Sequence, residues 1–172
     1  MADIVKVILA DHARIRALFA ELGDSTGTWA DIDCRPMLHH VWATLDGLLE
    51  LHSHAEEEIC YLALSRYERG AARDIQEAIA DLDDIREAMR EARLLAVGCP
   101  AWWRAVRAAR TAAIDHIDGC ESDILARLQH HASPETREVL GRQWAAFVAA
   151  RIADAACRAR KSEFAMRPRS IR

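Results

Sequence analysis

Apolar residues recur every three or four positions along almost the whole chain, and this repeat most constrains the fold. The first run ends at Leu22, and Gly23 follows it as a helix C-cap would. Later runs are separated by Gly70, by Gly98-Cys99-Pro100 and by Ser133-Pro134. Because only 7 Gly and 4 Pro occur in 172 residues, little else interrupts a helix. The pattern predicts five long helices rather than strands.

The lengths of these runs predict the architecture. Helices are expected over roughly residues 4–22, 34–65, 71–97, 101–130 and 134–164. In the second helix, Asp33 is the expected N-cap and Pro36 falls in the first turn. Since the connections are short, neighbouring helices are expected to run antiparallel. The predicted fold is all-α: an antiparallel up-and-down four-helix bundle with an additional C-terminal helix. One domain is expected over residues 1–166, with a short basic tail at 167–172.

Composition and charge argue against several classes of protein. The formal net charge of −4 provides no general attraction to nucleic acid or to an anionic membrane. The sequence has neither a run of about 18 apolar residues nor a signal-peptide pattern. Its 5 cysteines are an odd number without a C-x-x-C pair, so a disulfide framework is not expected. We therefore expect a cytoplasmic protein with reduced thiols and with neither nucleic acid nor membrane as a partner.

Three of the predicted helices carry polar residues on an apolar face. His12 interrupts the apolar stripe of the first helix. His52 and Glu56 interrupt that of the second, and their spacing of four projects both from one side. His116 and Glu121 lie among apolar residues of the fourth helix, but a spacing of five separates them by roughly 140° on an ideal helix.

Buried carboxylates and imidazoles need partners, and divalent metal ions supply them. Imidazole and carboxylate ligands without organised thiolates favour iron, manganese or zinc. Hydrogen-bonded polar groups in the core are the alternative reading. Cys60 and Cys120 each lie one turn from these residues, so both thiols could face the site as soft ligands or redox groups. We interpret them instead as core filler. Tyr61 is interpreted as an interfacial aromatic, and the alternative, if the second helix is locally irregular, is a metal ligand or radical site.

Three motifs resemble the hemerythrin-like HHE cation-binding family over roughly residues 4–128. They are Asp11–Phe19, Leu51–Leu64 and His116–Glu121, in the order in which the family has them. The resemblance implies a helix bundle that holds iron, as two ions bridged by carboxylates, with manganese or zinc as alternative metals. In this reading the terminal ligands are His12, His52 and His116, and the bridging ligands are Glu56 and Glu121.

Two departures keep alternatives open. His54 and Glu58 have the same spacing as His52 and Glu56, so they form an alternative register on the opposite face. On the third helix, residues 81–89 match the form of residues 11–19, but Leu82 stands where the family resemblance predicts a histidine. The second metal is therefore either lost, completed by Asp81, Asp83, Glu77 or water, or part of a site that binds nothing tightly.

The leading hypothesis is a hemerythrin-like non-haem iron protein that binds or reacts with O2, NO or peroxide. One alternative is an oxygen-activating di-metal oxidase or oxygenase, for which an apolar pocket of substrate size beside the metals would be the distinguishing feature. Another is a non-catalytic helical partner-binding protein with a degenerate metal site. The sequence leaves enzymatic activity open. Four tryptophans are interpreted as packing between helices, and a homodimer contact through them is one option; they are Trp42, Trp102, Trp103 and Trp144.

Overall fold

A computed structural model describes residues 2–23 and 35–165, and every regular element in these two ranges is helical. The first helix is α1, Ile4–Leu22. Asp3 caps it by accepting a hydrogen bond of 2.9 Å from the Val5 amide. Gly23 ends it at φ +67°, a conformation that a residue without a side chain adopts without strain. Both ends agree with the apolar repeat.

The second and fourth predicted helices are long rods, and each is interrupted by one π-helical turn. The second rod consists of α2 (Arg35–Ala55), a π turn (Glu56–Tyr61) and α3 (Leu62–Tyr67). The fourth consists of α5 (Pro100–Gly119), a π turn (Cys120–Ile124) and α6 (Leu125–His131). Pro36 lies in the first turn as predicted, whereas the predicted Asp33 cap falls outside the described residues.

Between the rods, a short 3₁₀ segment (Arg69–Ala71) leads into α4, Ala72–Arg93. This helix ends four residues before the predicted Val97. The Leu94 and Leu95 amides donate to carbonyls three residues earlier, each at 3.1 Å, and this tightening ends the helix. Cys99 then caps α5, with its Sγ 3.3 Å from the Trp102 amide.

The last helix, α7 (Pro134–Ala165), begins where Ser133-Pro134 predicted it. Ser133 Oγ accepts a hydrogen bond of 3.2 Å from the Thr136 amide. Arg137 Nε bonds Asp3 Oδ2 at 2.7 Å, so α7 is tied to the start of α1. A Cβ at Gly141 would lie only 2.0 Å from the Ala2 carbonyl oxygen, and glycine therefore permits this close approach.

Packing brings α1 against α2 and α7, and α4 against α5, around one core. The polar residues His12, His52, Ser53, Glu56 and His116 are buried in that core. No helix of the described ranges is long and apolar enough to cross a membrane.

Candidate metal centre

Five elements contribute side chains to one polar cluster. His12 comes from α1, His52 from the last turn of α2, Glu56 from the first π turn and His116 from α5. Glu121 comes from the second π turn. The structure thus brings together all five residues that the sequence predicted as metal ligands.

Glu56 lies at the centre of the cluster and is fully buried. Its Oε1 is 3.6 Å from His12 Nε2 and 3.4 Å from His52 Nε2. Its Oε2 is 3.1 Å from His116 Nε2. One carboxylate therefore faces two imidazoles with one oxygen and a third imidazole with the other, which is the disposition of a bridging carboxylate.

Carboxylates also lie behind the imidazoles, at Nδ1. Glu121 Oε1 is 3.0 Å from His12 Nδ1, and Asp11 Oδ2 is 3.4 Å from His52 Nδ1. Since an ionised carboxylate only accepts hydrogen bonds, each Nδ1 is the donor. Each ring therefore turns Nε2 toward Glu56, as a metal-ligating histidine with an outer carboxylate does.

The electrostatics of the cluster favour charged forms. Burial alone would raise the pKa of Glu56, but the surrounding imidazoles, first His52, hold that pKa well below its ordinary value. Burial likewise opposes the charge on His52, yet Glu56 and Asp11 raise its pKa to about 9. A cation is thus already favoured beside Glu56, and a bound metal would take the place of the His52 proton.

The hydrogen bonds of the histidine nitrogens indicate whether the cluster fits a metal ion. Within the described ranges, His12 Nε2, His52 Nε2 and His116 Nδ1 are buried and form no hydrogen bond of acceptable geometry. Buried nitrogens without such a bond are costly. Because two of them converge on Glu56 Oε1, the imidazole and carboxylate donors fit a divalent cation there.

Two other side chains touch Glu56. Cys120 Sγ is 3.3 Å from Oε1, and Tyr61 Oη is 3.4 Å from Oε2. Ligand atoms of His12, Glu56 and Cys120 lie within 4.8 Å of one another. Burial, reinforced by the charge of Glu56, raises the pKa of the Cys120 thiol well above its ordinary value. Cys120 therefore acts as a neutral donor to the carboxylate, a role beyond the core filling that the sequence suggested.

The π turns explain contacts that α-helical geometry does not predict. Hydrogen bonds in a π turn join residues five apart, so residues at that spacing lie over one another. Tyr61 follows Glu56 by five and is buried, with its Oη 3.4 Å from Glu56 Oε2. Glu121 follows His116 by five, and the second π turn removes much of the 140° separation expected for an ideal α-helix.

The side of the cluster near α4 is less complete. Leu82 is buried in the core, and neither it nor Ala78 offers a ligand atom. Asp81 Oδ2 is 4.0 Å from His116 Nδ1, and Asp83 is paired with Arg86 at 2.8 Å. Beside His116 opens a polar cleft of about 210 Å³. Its acidic lining residues are Asp74, Glu77, Asp81 and Asp123.

The alternative register points away from the cluster. His54 Nδ1 donates to the Glu50 carbonyl oxygen at 2.7 Å, one turn back on the same helix. Glu58 is exposed and accepts a hydrogen bond of 3.1 Å from Arg151 Nη2. His52 and Glu56 are therefore the pair that faces the interior.

The hemerythrin HHE cation-binding domain model matches residues 3–128 of the chain. The chain belongs to the hemerythrin HHE cation-binding domain family. This membership makes it a helical metal-binding protein, and hemerythrin-like domains typically bind iron. No curated protein and no solved structure matches the chain. The match ends before α7, so the last helix of this hemerythrin-like protein lies outside the matched residues.

Sequence reasoning did not predict three residues around this hemerythrin-like centre. They are Asp11 behind His52, Arg16 beside Glu121, and Trp144, whose ring centroid lies 5.5 Å from that of His52. For Arg16, the spacing of four from His12 could have indicated a position on the same face of α1. No local signal marks Trp144, because α7 reaches His52 only through tertiary packing.

Proposed function

We propose that the protein is a hemerythrin-like non-haem iron protein that binds or reacts with O2, NO or peroxide. The observation that carries this proposal is the position of Glu56. Its Oε1 faces the Nε2 atoms of His12 and His52, which form no hydrogen bond of acceptable geometry within the described residues, and its Oε2 accepts from His116 Nε2 at 3.1 Å. Imidazole and carboxylate donors of this kind suit iron, with manganese and zinc as alternatives. Iron bound here would supply open coordination positions for a small ligand.

The proposed ligands are His12, His52 and Glu56 on one side and His116 on the other, with Glu121 in contact with His12. The chain's own groups hold the rings in place, because Asp11 and Glu121 fix the Nδ1 protons of His52 and His12. Cys120 and Tyr61 donate toward Glu56 and orient its carboxylate. Buried apolar side chains surround Glu56 and exclude water from it.

The number of ions follows from the unequal sides of Glu56. The family resemblance implies two bridged ions, and Glu56 is placed to bridge them. The side of His12 and His52 has two imidazoles, whereas the side of His116 has one because Leu82 provides no donor. We therefore propose one firmly held ion and a second that binds more weakly, with water or Asp81 from the polar cleft completing it.

For the fold, we propose an antiparallel up-and-down four-helix bundle with α7 as the additional helix. The four members would be α1, the rod 35–67, α4 and the rod 100–131. Contacts of α1 with α2, of α4 with α5 and of α3 with α6 support this arrangement. The contact of α7 with α1 and α2 supports its assignment as the fifth helix.

We also propose that the protein works in the cytoplasm. The cysteines of the described part, Cys60, Cys99, Cys120 and Cys157, are unpaired, as in reducing compartments. A homodimer stays a prediction. The four tryptophans that suggested it, Trp42, Trp102, Trp103 and Trp144, are buried within the chain and offer no exposed surface for it.

One observation favours an oxidase or oxygenase as a second candidate function. A cleft of about 400 Å³ lies between α1, α2 and α7, within the range of small-molecule sites. Apolar side chains such as Leu48, Val148 and Ile152 line it, and it reaches His52 and Asp11. An organic substrate in this cleft would contact the Nδ1 side of His52, separated from a metal at Nε2 by the width of one imidazole.

Anaerobic loading with iron(II), removal of excess metal and elemental analysis test the leading proposal. We expect at least one iron per chain in the wild type and a loss of iron in Glu56→Gln. Glu58→Gln is the matched control, because it removes the same charge from an exposed site two residues away. Oxygen and peroxide are then added to the loaded protein, and the absorption spectrum is followed. Iron-free wild-type protein after this loading would favour the degenerate site of a partner-binding protein.

The cleft needs a separate test. Val148→Trp narrows it from α7, one turn from Trp144, without touching a proposed ligand. If the protein oxidises an organic substrate, this variant should retain its iron and its reaction with peroxide while losing turnover of that substrate. Equal turnover by wild type and variant would remove the cleft from the second candidate function.

A further inference from the structure

Arg16 and Glu121 form a contact that a bridging role for Glu121 does not explain. Arg16 Nη1 donates a hydrogen bond of 2.6 Å to Glu121 Oε1, the oxygen that also accepts from His12 Nδ1 at 3.0 Å. Arg16 Nη2 donates another of 2.7 Å to Asp118 Oδ1. The guanidinium thus joins α1 to the rod that carries Glu121. The carboxylate expected to bridge two ions is already bound to a cation of the protein.

The geometry of imidazole decides what Glu121 can reach. The two ring nitrogens point in nearly opposite directions, so a carboxylate bound at Nδ1 lies behind the ring from an ion at Nε2. His12 Nε2 faces Glu56, whereas its Nδ1 faces Glu121. Glu121 therefore cannot ligate an ion on His12 Nε2 while it keeps its hydrogen bond to Nδ1.

The neighbouring histidine shows the same arrangement. His52 turns Nε2 to the same oxygen of Glu56 and Nδ1 to Asp11 Oδ2. Asp11 is not a predicted ligand, so its contact with His52 is that of an outer carboxylate. Such carboxylates fix the tautomer and orientation of a ligating ring and raise its basicity. Glu121 and Asp11 occupy equivalent places behind the two rings.

We propose that Glu121 is a positioning residue for His12, and that Arg16 holds it in this role and keeps it from bridging two ions. The proposal rests on the metal-binding function proposed above, and it replaces the bridging role that the family resemblance implies for Glu121. Arg16 and Leu82 then act in the same direction. Arg16 keeps the Glu121 carboxylate from the second ion, and Leu82 provides no imidazole for it. The chain therefore favours a single ion beside His12 and His52.

Substitution of Glu121 in the full-length chain separates the two roles. The measurement is the affinity and stoichiometry of iron(II), obtained anaerobically by competition with a chelator. Glu121→Ala should weaken binding about 10- to 100-fold, as is typical for loss of an outer hydrogen bond. Glu121→Gln should recover most of this loss, since its amide oxygen still accepts from His12 Nδ1. Glu87→Gln is the control, because it removes a carboxylate from an exposed ion pair with Arg90 on α4.

The same substitution in a His12→Ala background provides the decisive comparison. A positioning residue acts only through its ring, so Glu121→Ala should have no further effect there. Equal losses in Glu121→Gln and Glu121→Ala that persist without His12 would make Glu121 a direct ligand and overturn the proposal. Urea denaturation of each iron-free variant establishes that it is folded. Wild-type protein without iron would instead refute the proposed function and this inference with it.

Arg16→Met tests whether Arg16 keeps Glu121 from bridging two ions, because methionine keeps much of the aliphatic stem and removes the cation. Once released, Glu121 should be able to turn toward the ions. In a Leu82→His background, Arg16→Met should therefore tighten the second iron by at least tenfold. An unchanged affinity for the second iron would show that Arg16 does not withhold Glu121.

Discussion

The two sides of Glu56 are built from related stretches of sequence but differ in structure. On the side of α1 and α2, His12 and His52 both face Oε1, and each has a carboxylate at its Nδ1. On the side of α4 and α5, His116 alone faces Oε2, and its Nδ1 lies 4.0 Å from Asp81. The first side adjoins a cleft lined largely by apolar residues, including Trp144 of α7, whereas the second opens into an acidic cleft.

One substitution within an internal near-repeat accounts for most of this difference. Asp11 and Asp81 occupy matching positions in the repeat, and each lies beside the Nδ1 of a histidine on the neighbouring rod. The next positions are His12 and Leu82. A histidine there completes a polar cluster, whereas leucine joins the apolar core. The residue at one helix position therefore decides whether the two sides of Glu56 present similar or unequal sets of imidazoles.

Leu82 is the position where the largest effect is expected. Leu82→His should raise the iron content from one ion per chain toward two, because it restores an imidazole beside His116. Leu82→Ala should lower the free energy of unfolding by about 2 to 5 kcal/mol through the cavity it creates, without adding iron. Elemental analysis and urea denaturation measure the two effects. A folded Leu82→His variant with unchanged iron content and affinity would show that the proposed equivalence with His12 is wrong.

The two histidine positions provide the next test of the comparison. His52→Ala should weaken binding of the first iron by more than about 100-fold, because it removes a direct ligand and not only an outer hydrogen bond. His116→Ala should weaken the same ion by less than about tenfold and mainly affect the second. Chelator competition measures both affinities. His54→Ala, on the exterior of the same helix, is the control, and equal losses at His52 and His116 would mean that one ion uses both sides.

Iron bound on the side of His12 and His52 should stabilise the folded protein. At a free iron(II) concentration of about 100 Kd, ligand linkage adds about 2.7 kcal/mol. For a chain of this size the melting temperature would rise by about 5 to 10 °C. Anaerobic thermal denaturation measures the shift, which His116→Ala should retain and His52→Ala should lose. Identical melting curves for wild type with and without iron would contradict the proposed site.

The outer carboxylates should show the smallest of these effects. Asp11→Ala should weaken the first iron by about 10- to 100-fold, because it removes the acceptor for His52 Nδ1. Asp81→Ala should leave that ion unchanged, since Asp81 lies beyond hydrogen-bond distance of His116. The affinities are again measured by competition. A loss of iron affinity in the Asp81 variant as large as that in the Asp11 variant would mean that both sides of Glu56 contribute equally to binding this ion.

Much of the centre could be predicted because its residues break local patterns. His12, His52 and Glu56 interrupt apolar stripes, and the structure places all three in the interior. Glu121 was harder to place, since its spacing of five from His116 fits a π turn and not an α-helix. The role of Cys120 was missed for a related reason. A thiol one turn from a histidine reads as core filler until the neighbouring rod places Glu56 beside it.

What the sequence by itself determined is the set of helices, their breaks and the polar positions on their buried faces. These depend on residues close together in the chain, through periodicity, caps and spacing. Only the tertiary structure decided which carboxylate faces which nitrogen. Arg16 and Glu121 are 105 positions apart, and Trp144 reaches His52 from a helix beyond the residues that match the family. Such contacts depend on how the rods pack against one another, and a local sequence pattern does not indicate which residue of another helix will be the partner.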